Sequence, residues 1–493
     1  MIDATVVGSG PNGLAAAVTL ARAGLEVVLV ERASTVGGGM RTAELTLPGF
    51  RHDVCSAVHP AALASPFFQA FGLTERVPFV IPAASYAHPL DDGVAGIAWH
   101  DLDRTVDDLG RNGNAWRSLF GPLVKHIEAL TDFTGSQLLR IPPHPLDALA
   151  FGLRVLEQGT PAWNERFRER IAPAMLSGVS AHAVVSQPSL AAAGTGLLLG
   201  AHAHAAGWGF PVGGSQAIAD ALADDLVAHG GRIVLDTDVQ DPSDLEPSRI
   251  TLLDTSPAFL AHFAGDRLAA GYLRALRNFP RVGGVAKVDF ALSAPVPWTN
   301  PDVAFAPTVH LGGSRGAIAR SERDVARGRI PASPFVLVTQ PSILDDTRAP
   351  RGQHTLWAYM HVPAGSIYDP TEAITRQLER VAPGFRDTVL ASSSMTAREV
   401  EANNPNDVGG EIMGGSVSVY RLLKRPVLSP TPWATPLDGL YLCSASTPPG
   451  PSVQGMNGWY AARLAARTHF GIEVEFGDLR PDGRSGQASP STR

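Results

Sequence analysis

The chain opens on a pattern that few folds accommodate. Residues 3–7 (Asp-Ala-Thr-Val-Val) read as a short buried strand running into Gly8-Ser9-Gly10-Pro11-Asn12-Gly13. An Ala-rich helical run follows from Leu14 to Ala23, with Gly24 as its stop, and Glu26-Val-Val-Leu-Val-Glu31 reads as a second strand. A lone GxGxxG is weak, but between a strand and a helix it marks a dinucleotide-binding βαβ unit. Gly8 permits the tight turn, Gly10 lets the backbone approach a pyrophosphate, and Gly13 lets the helix pack close to the strand. The helix N-terminus offers N–H groups and a positive dipole end to phosphates. Glu31 closes the second strand, where an acid accepts from ribose hydroxyls. A second cluster, Gly37-Gly38-Gly39-Met40-Arg41, offers backbone amides and one cation to another part of the same ligand.

The rest of the composition narrows the class. The chain has 493 residues, enough for two or three domains, and 44% are hydrophobic, which excludes a disordered chain. Charged residues are only 18%, and residues 171–219 contain no Asp, Glu, Lys or Arg at all. That segment carries Pro173, Pro188, Pro211 and several histidines, so it does not read as a membrane span. It is expected to be buried and to line or support a dry cavity, or to be a plain helical core. No basic n-region precedes the first strand, so no signal peptide is expected, and a cytoplasmic location follows. A net charge of −7 argues against a general nucleic-acid binder. Cys55 and Cys443 are isolated and form no CxxC, and His202 and His204 have no nearby acid or Cys, so no metal site is expected.

Further motifs recur in a recognisable order. They are Arg41-Thr-Ala-Glu-Leu-Thr-Leu-Pro-Gly-Phe-Arg-His-Asp53, Phe210-Pro-Val-Gly-Gly214, Gly439-Leu-Tyr-Leu-Cys-Ser-Ala-Ser-Thr447, Pro449-Gly450 and Val453-Gln-Gly455. With the N-terminal unit, the chain resembles the phytoene-desaturase-like flavoproteins of the flavin amine oxidase superfamily, from Ile2 to about Ala466. It is most similar to the branch named for a pyridine nucleotide-disulfide oxidoreductase domain; the isolated cysteines make the disulfide of that name inoperative here. The resemblance implies an α/β fold: a Rossmann-like FAD-binding domain of the glutathione-reductase type with a discontinuous mixed α+β substrate domain. The FAD domain would take 1–85, 205–290 and 426–477, the substrate or cap domain 86–204 and 291–425, and 478–493 would be a flexible tail. FAD is the implied cofactor. Gly8, Ser9, Gly10, Asn12 and Gly13 would hold the pyrophosphate, with Glu31 and Arg32 at the adenosine ribose. Gly38, Gly39 and Arg41 would lie along the phosphates and ribityl chain, and Val239 would meet adenine through its backbone. Ser444 would sit near the pyrophosphate or ribityl, and Ser452 and Val453 near the flavin, where a helix N-terminus stabilises charge on the reduced ring. The family has Gly where Ser444 stands and a Gly run where Pro451-Ser452 stand, so the pocket at the reacting face differs.

For chemistry, a flavin desaturase or oxidase needs binding, orientation and dryness more than a protein base. Lys287 interrupts the apolar strand Val285-Ala-Lys-Val-Asp-Phe290, at a position similar to the amine oxidases' water-holding lysine; the alternative is a strand lysine that reaches solvent. Trp208 and Phe210 read as walls of a flavin pocket or as core aromatics. His59 reads as a pocket group or a satisfied structural residue. Trp357, Tyr359 and His361 alternate and share one face, toward a substrate cavity or a packed interface. The activity implied is hydride removal from an apolar, isoprenoid or lipid-like small molecule, with oxygen, a quinone or another carrier as electron acceptor. An amine or amino-acid oxidase, a redox-neutral flavin isomerase and a non-catalytic flavin- or prenyl-binding chaperone remain alternatives. Peripheral membrane contact and homo-oligomer formation fit such a protein.

Overall fold

The computed structural model describes residues 2–480, and two sheets organise it. The first is five-stranded and all parallel, in the order Leu440–Leu442, Ser248–Leu253, Ile2–Val7, Val27–Val30, Arg232–Val234. Both of its faces are covered, which is why the two N-terminal strands carry almost nothing but apolar residues. Ala4, Val6, Val27 and Leu29 pack with helices Pro11–Arg22, Gln216–Ala228 and Met456–Phe470. Val7, Val28 and Val30 pack with helices Pro257–Ala264 and Ala270–Arg277.

The second sheet has seven strands, in the order Val389–Met395, Gly284–Leu292, His354–Val362, Val336–Thr339, Thr308–Leu311, Ala84–Pro89, Ala95–Trp99. Only the pairing of Thr308–Leu311 with Ala84–Pro89 is parallel. One face, with Val288, Val309, Val338 and Ala358, forms a separate apolar core. The opposite face carries Thr308, His310, Leu337, Thr339, Trp357, Tyr359, His361, Lys287 and Asp289, as strand alternation requires. The expected domain limits at 85/86 and 290/291 fall inside Ala84–Pro89 and Gly284–Leu292. A hydrogen-bonded strand is not divided between units, so both boundaries move to the preceding loops.

The charge-free segment forms helices Ile171–Ser180 and Leu190–Ala205 and the approach to Gln216–Ala228. No residue from 171 to 219 is exposed. A close helix crossing explains Gly200, where a Cβ would lie 2.6 Å from the Phe120 ring of helix Gly113–Lys125. Of the tail expected from Asp478 onward, Asp478 and Leu479 instead belong to the short helix Phe476–Leu479, with Leu479 fully buried, and the part after Arg480 lies outside the described residues. Among the described residues no helix is long and apolar enough to cross a membrane.

Candidate functional site

One cavity of about 1020 Å³ runs from the C-terminal ends of the parallel strands to the polar face of the second sheet. Its first end is built by the glycine turn. Gly8 has φ +95°, and a Cβ there would lie 2.8 Å from the Asp254 carbonyl oxygen. A Cβ on Gly10 would lie 2.5 Å from Asp254 Oδ2, and one on Gly13 would lie 2.0 Å from Gly8 O. The glycines are therefore demanded by the protein's own packing as well as by room for a ligand. The N-cap residue Gly10 supplies no side-chain cap to the helix that starts at Pro11, and the Asp254 carboxyl takes the Gly13 N–H, so only part of the first turn is open to an anionic group.

Asp254 was not visible as a site residue in the sequence. It ends strand Ser248–Leu253, lines the cavity, and accepts from Gly13 N–H at 2.8 Å. Burial, reinforced by the charge of Glu31, pushes its pKa up to about 7. A carboxyl with so raised a pKa carries less negative charge near neutral pH than a free one, and so repels a diphosphate less. Glu31 accepts from Ser9 N–H at 2.9 Å, Ser9 Oγ–H at 2.7 Å and Ala33 N–H at 2.8 Å, which fixes it at the strand end. Gly8, Ser9, Gly10, Asn12, Glu31, Arg32, Gly38, Gly39, Arg41, Val239, Ser444, Ser452 and Val453 all line this one cavity, although they come from four separated stretches of chain. Asn12 Oδ1 is buried there without a partner among the described residues. This donor and acceptor set, with a cradle that any Cβ would fill, fits a dinucleotide.

Two details differ from the sequence reading. The last helix opens at Met456, so its N-terminus stands behind Val453 and not at it. Ser452 has φ +128°, a conformation that favours glycine. Ser452 therefore holds a strained backbone conformation on the cavity wall.

The second end is walled by the charge-free segment and the sheet. His182, Leu190, Ala191, Gly194, Thr195, Leu198, Leu199 and Trp208 contribute from the former, and Thr308, Leu337, Thr339, Trp357 and Tyr359 from the latter. Trp208 donates to Leu199 O at 3.1 Å and packs against Tyr86 and His182. His59 lines the cavity, with Nε2 2.8 Å from Ser215 Oγ; burial lowers its pKa to about 4, so it is neutral. Phe210 does not line the cavity. It sits in the short strand Phe210–Pro211, paired with Phe79–Val80, where its side chain is fully buried.

Lys287 also requires correction. It reaches neither the main cavity nor solvent. Its Nζ donates to Val54 O at 2.8 Å and Asp53 O at 3.3 Å and pairs with Asp289 Oδ2 at 2.9 Å, which uses all three ammonium protons. The remaining space beside it is a recess of about 30 Å³ shared with Gly38, Gly39, Trp357 and Tyr359. It is an anchor between the sheet and the strand Arg51–Asp53, whose Asp53 is itself paired with buried Arg348 at 2.8 Å. Cys55 and Cys443 are free, and burial pushes the Cys55 thiol up to about 12, far from a reactive thiolate.

Comparison with known proteins agrees with this geometry. The family described as NAD(P)-binding Rossmann-like domain matches residues 6–71. The chain is 24% identical to a rat (Rattus norvegicus) protein named "Pyridine nucleotide-disulfide oxidoreductase domain-containing protein 2", over 94% of this chain and 93% of that one. It is 24% identical to a phytoene desaturase (neurosporene-forming) of Rhodobacter capsulatus, over 92% of each chain. Among solved structures, a putrescine oxidase variant superposes with TM-score 0.59 at 15% identity, covering 94% of this chain and 98% of that one. The chain thus carries an N-terminal Rossmann-like dinucleotide-binding domain, has the fold of the flavin amine oxidases, and is homologous along its length to oxidoreductases.

Proposed function

We propose that the protein is a FAD-dependent oxidoreductase of the desaturase or oxidase type. It would remove hydride from an apolar, isoprenoid or lipid-like small molecule, with oxygen, a quinone or another carrier as electron acceptor. The observation that carries this reading is the continuity of one cavity from the glycine cradle to a wall without charged side chains. Bound FAD would supply the hydride acceptor at its N5 atom. The residues of the chain do the rest. Gly8, Gly10, Gly38 and the helix at Pro11 would hold the diphosphate, Glu31 the ribose, and Ser444, Ser452 and Val453 the ring end. Leu190, Leu198, Leu199 and Trp208 exclude water, which hydride transfer requires. Neutral His59 and the fully occupied Lys287 leave proton handling to other groups.

The homologue named for phytoene supports an apolar substrate, and the lack of a charged anchor on the 171–219 wall disfavours an amine or amino acid. Helix Pro145–Gln158 exposes Leu146, Leu149, Leu153 and Leu156 while Phe151 and Val155 line the cavity. A lipid surface is the partner this row fits, because it would deliver apolar molecules beside the cavity wall. The absorbance of the purified protein tests the main reading. A yellow protein with one FAD per chain is the expected result; a colourless protein that cannot be reconstituted with FAD would overturn it.

A further inference from the structure

The apolar end of the cavity is not wholly apolar. A buried histidine network backs one point of its wall. His182, in the short helix Ala181–Ala183, lines the cavity, and its Nε2 lies 2.8 Å from His310 Nε2. His310 is fully buried on the polar face of the sheet and packs against Tyr86, Trp208 and Phe335. Phe335 in turn contacts His361, which is fully buried and bound through Nδ1 to both oxygens of Glu322 at 2.9 Å. Beside this network Thr308 Oγ1 and Trp357 Nε1 are buried without partners among the described residues, and both residues line the cavity.

The proton positions follow from what is buried. His310 Nδ1 has no partner among the described residues. A neutral imidazole carries one N–H, and a buried bare lone pair costs less than a buried orphan N–H. His310 therefore keeps its proton on Nε2 and donates to His182 Nε2. The other His182 nitrogen, Nδ1, then bears the proton on a residue of the cavity wall. Burial, with His361 adding to it, lowers the pKa of His182 to about 3, so the ring is a neutral donor and not a cation.

We infer that His182, positioned by His310, is the binding group for an uncharged oxygen on the substrate, so that the substrate is an apolar molecule bearing a hydroxyl or carbonyl and not a bare hydrocarbon. The inference rests on the reading of this cavity as the substrate site. A pure hydrocarbon would bury the His182 donor with nothing to bond, which is a substantial penalty. A carboxylate would lose its hydration without meeting any charged side chain of residues 171–219.

The test is calorimetric binding of three ten-carbon probes to the purified protein: geraniol, the hydrocarbon myrcene and geranate. Geraniol should bind roughly tenfold or more tightly than myrcene, and more tightly than geranate. His182→Phe should bring geraniol and myrcene to within about twofold of each other while myrcene binding persists, and His182→Asn, which restores an N–H donor, should recover part of the preference. Equal binding of geraniol and myrcene, a preference unchanged in His182→Phe, tighter binding of geranate, or no binding of any probe would each overturn the inference. The flavin content of the same preparation is read from its absorbance, so a failed flavin assignment shows separately from a failed preference.

Discussion

Asp254 illustrates how much of the site depends on single side chains brought from far away. It meets Gly13 across 241 positions of sequence, and no local pattern announces it. Its pKa of about 7 stands above the value of about 4 of a free carboxyl, so its contribution to stability is present below about pH 4 and is lost as pH rises to about 7. The groups facing it are Glu31, the buried Cys443 thiol and the Gly13 N–H. Asp254→Asn keeps an acceptor for Gly13 and cannot ionise. Its melting temperature relative to the unsubstituted protein should therefore climb between about pH 4 and pH 7 and level off above, as differential scanning calorimetry across that range would show. Lys287 leads to an opposite kind of prediction. Lys287→Met strips the partner from buried Asp289 and should cost about 3–5 kcal/mol in urea unfolding. A Lys287→Met, Asp289→Leu double substitution should recover most of that loss. If the single substitution were instead neutral for stability and abolished turnover, the lysine would be a chemical group after all.

At the scale of elements, legibility followed range. The strand–turn–helix–strand unit was readable because its logic is contained within the first 31 residues. The alternation of Trp357, Tyr359 and His361 was readable for the same reason. Applied to Thr308-Val-His310 and Leu337-Val-Thr339, the same period-two rule would have found the rest of the polar wall, which was the signal left unused. The setting of Lys287 could not be read from the sequence because its acceptors are the carbonyls of Asp53 and Val54, which no spacing connects to it. Helix crossings depend on glycines in the same remote way. A Cβ on Gly458 would lie 1.9 Å from Asn12 O, where helix Met456–Phe470 crosses helix Pro11–Arg22. Gly458→Ala should destabilise by roughly 3 kcal/mol or more and loosen the nearby turn, lowering dinucleotide affinity. Gly271, in the exposed helix Ala270–Arg277, has nothing within 4 Å of its Cβ position, so Gly271→Ala should stabilise by about 0.5–1 kcal/mol. Chemical denaturation of the two variants side by side checks both signs.

For the whole molecule, the apolar row on helix Pro145–Gln158 is where the proposed lipid partner can be tested. Replacing Leu149 and Leu153 by Asp, both more than half exposed, should leave the fold intact and reduce co-sedimentation with phospholipid vesicles several-fold. Unchanged vesicle binding would remove the lipid surface as a partner. The parallel sheet has a further consequence, for biogenesis. Its central strand begins at Ile2, but the edge strand Leu440–Leu442 and the helix that covers the first helix are far along the chain and are made well after it. The glycine turn is made long before Ser444 and Val453, which share its cavity. Long-range parallel pairing of this kind is slow to form. The cavity is therefore complete only when segments from both ends of the described residues have come together.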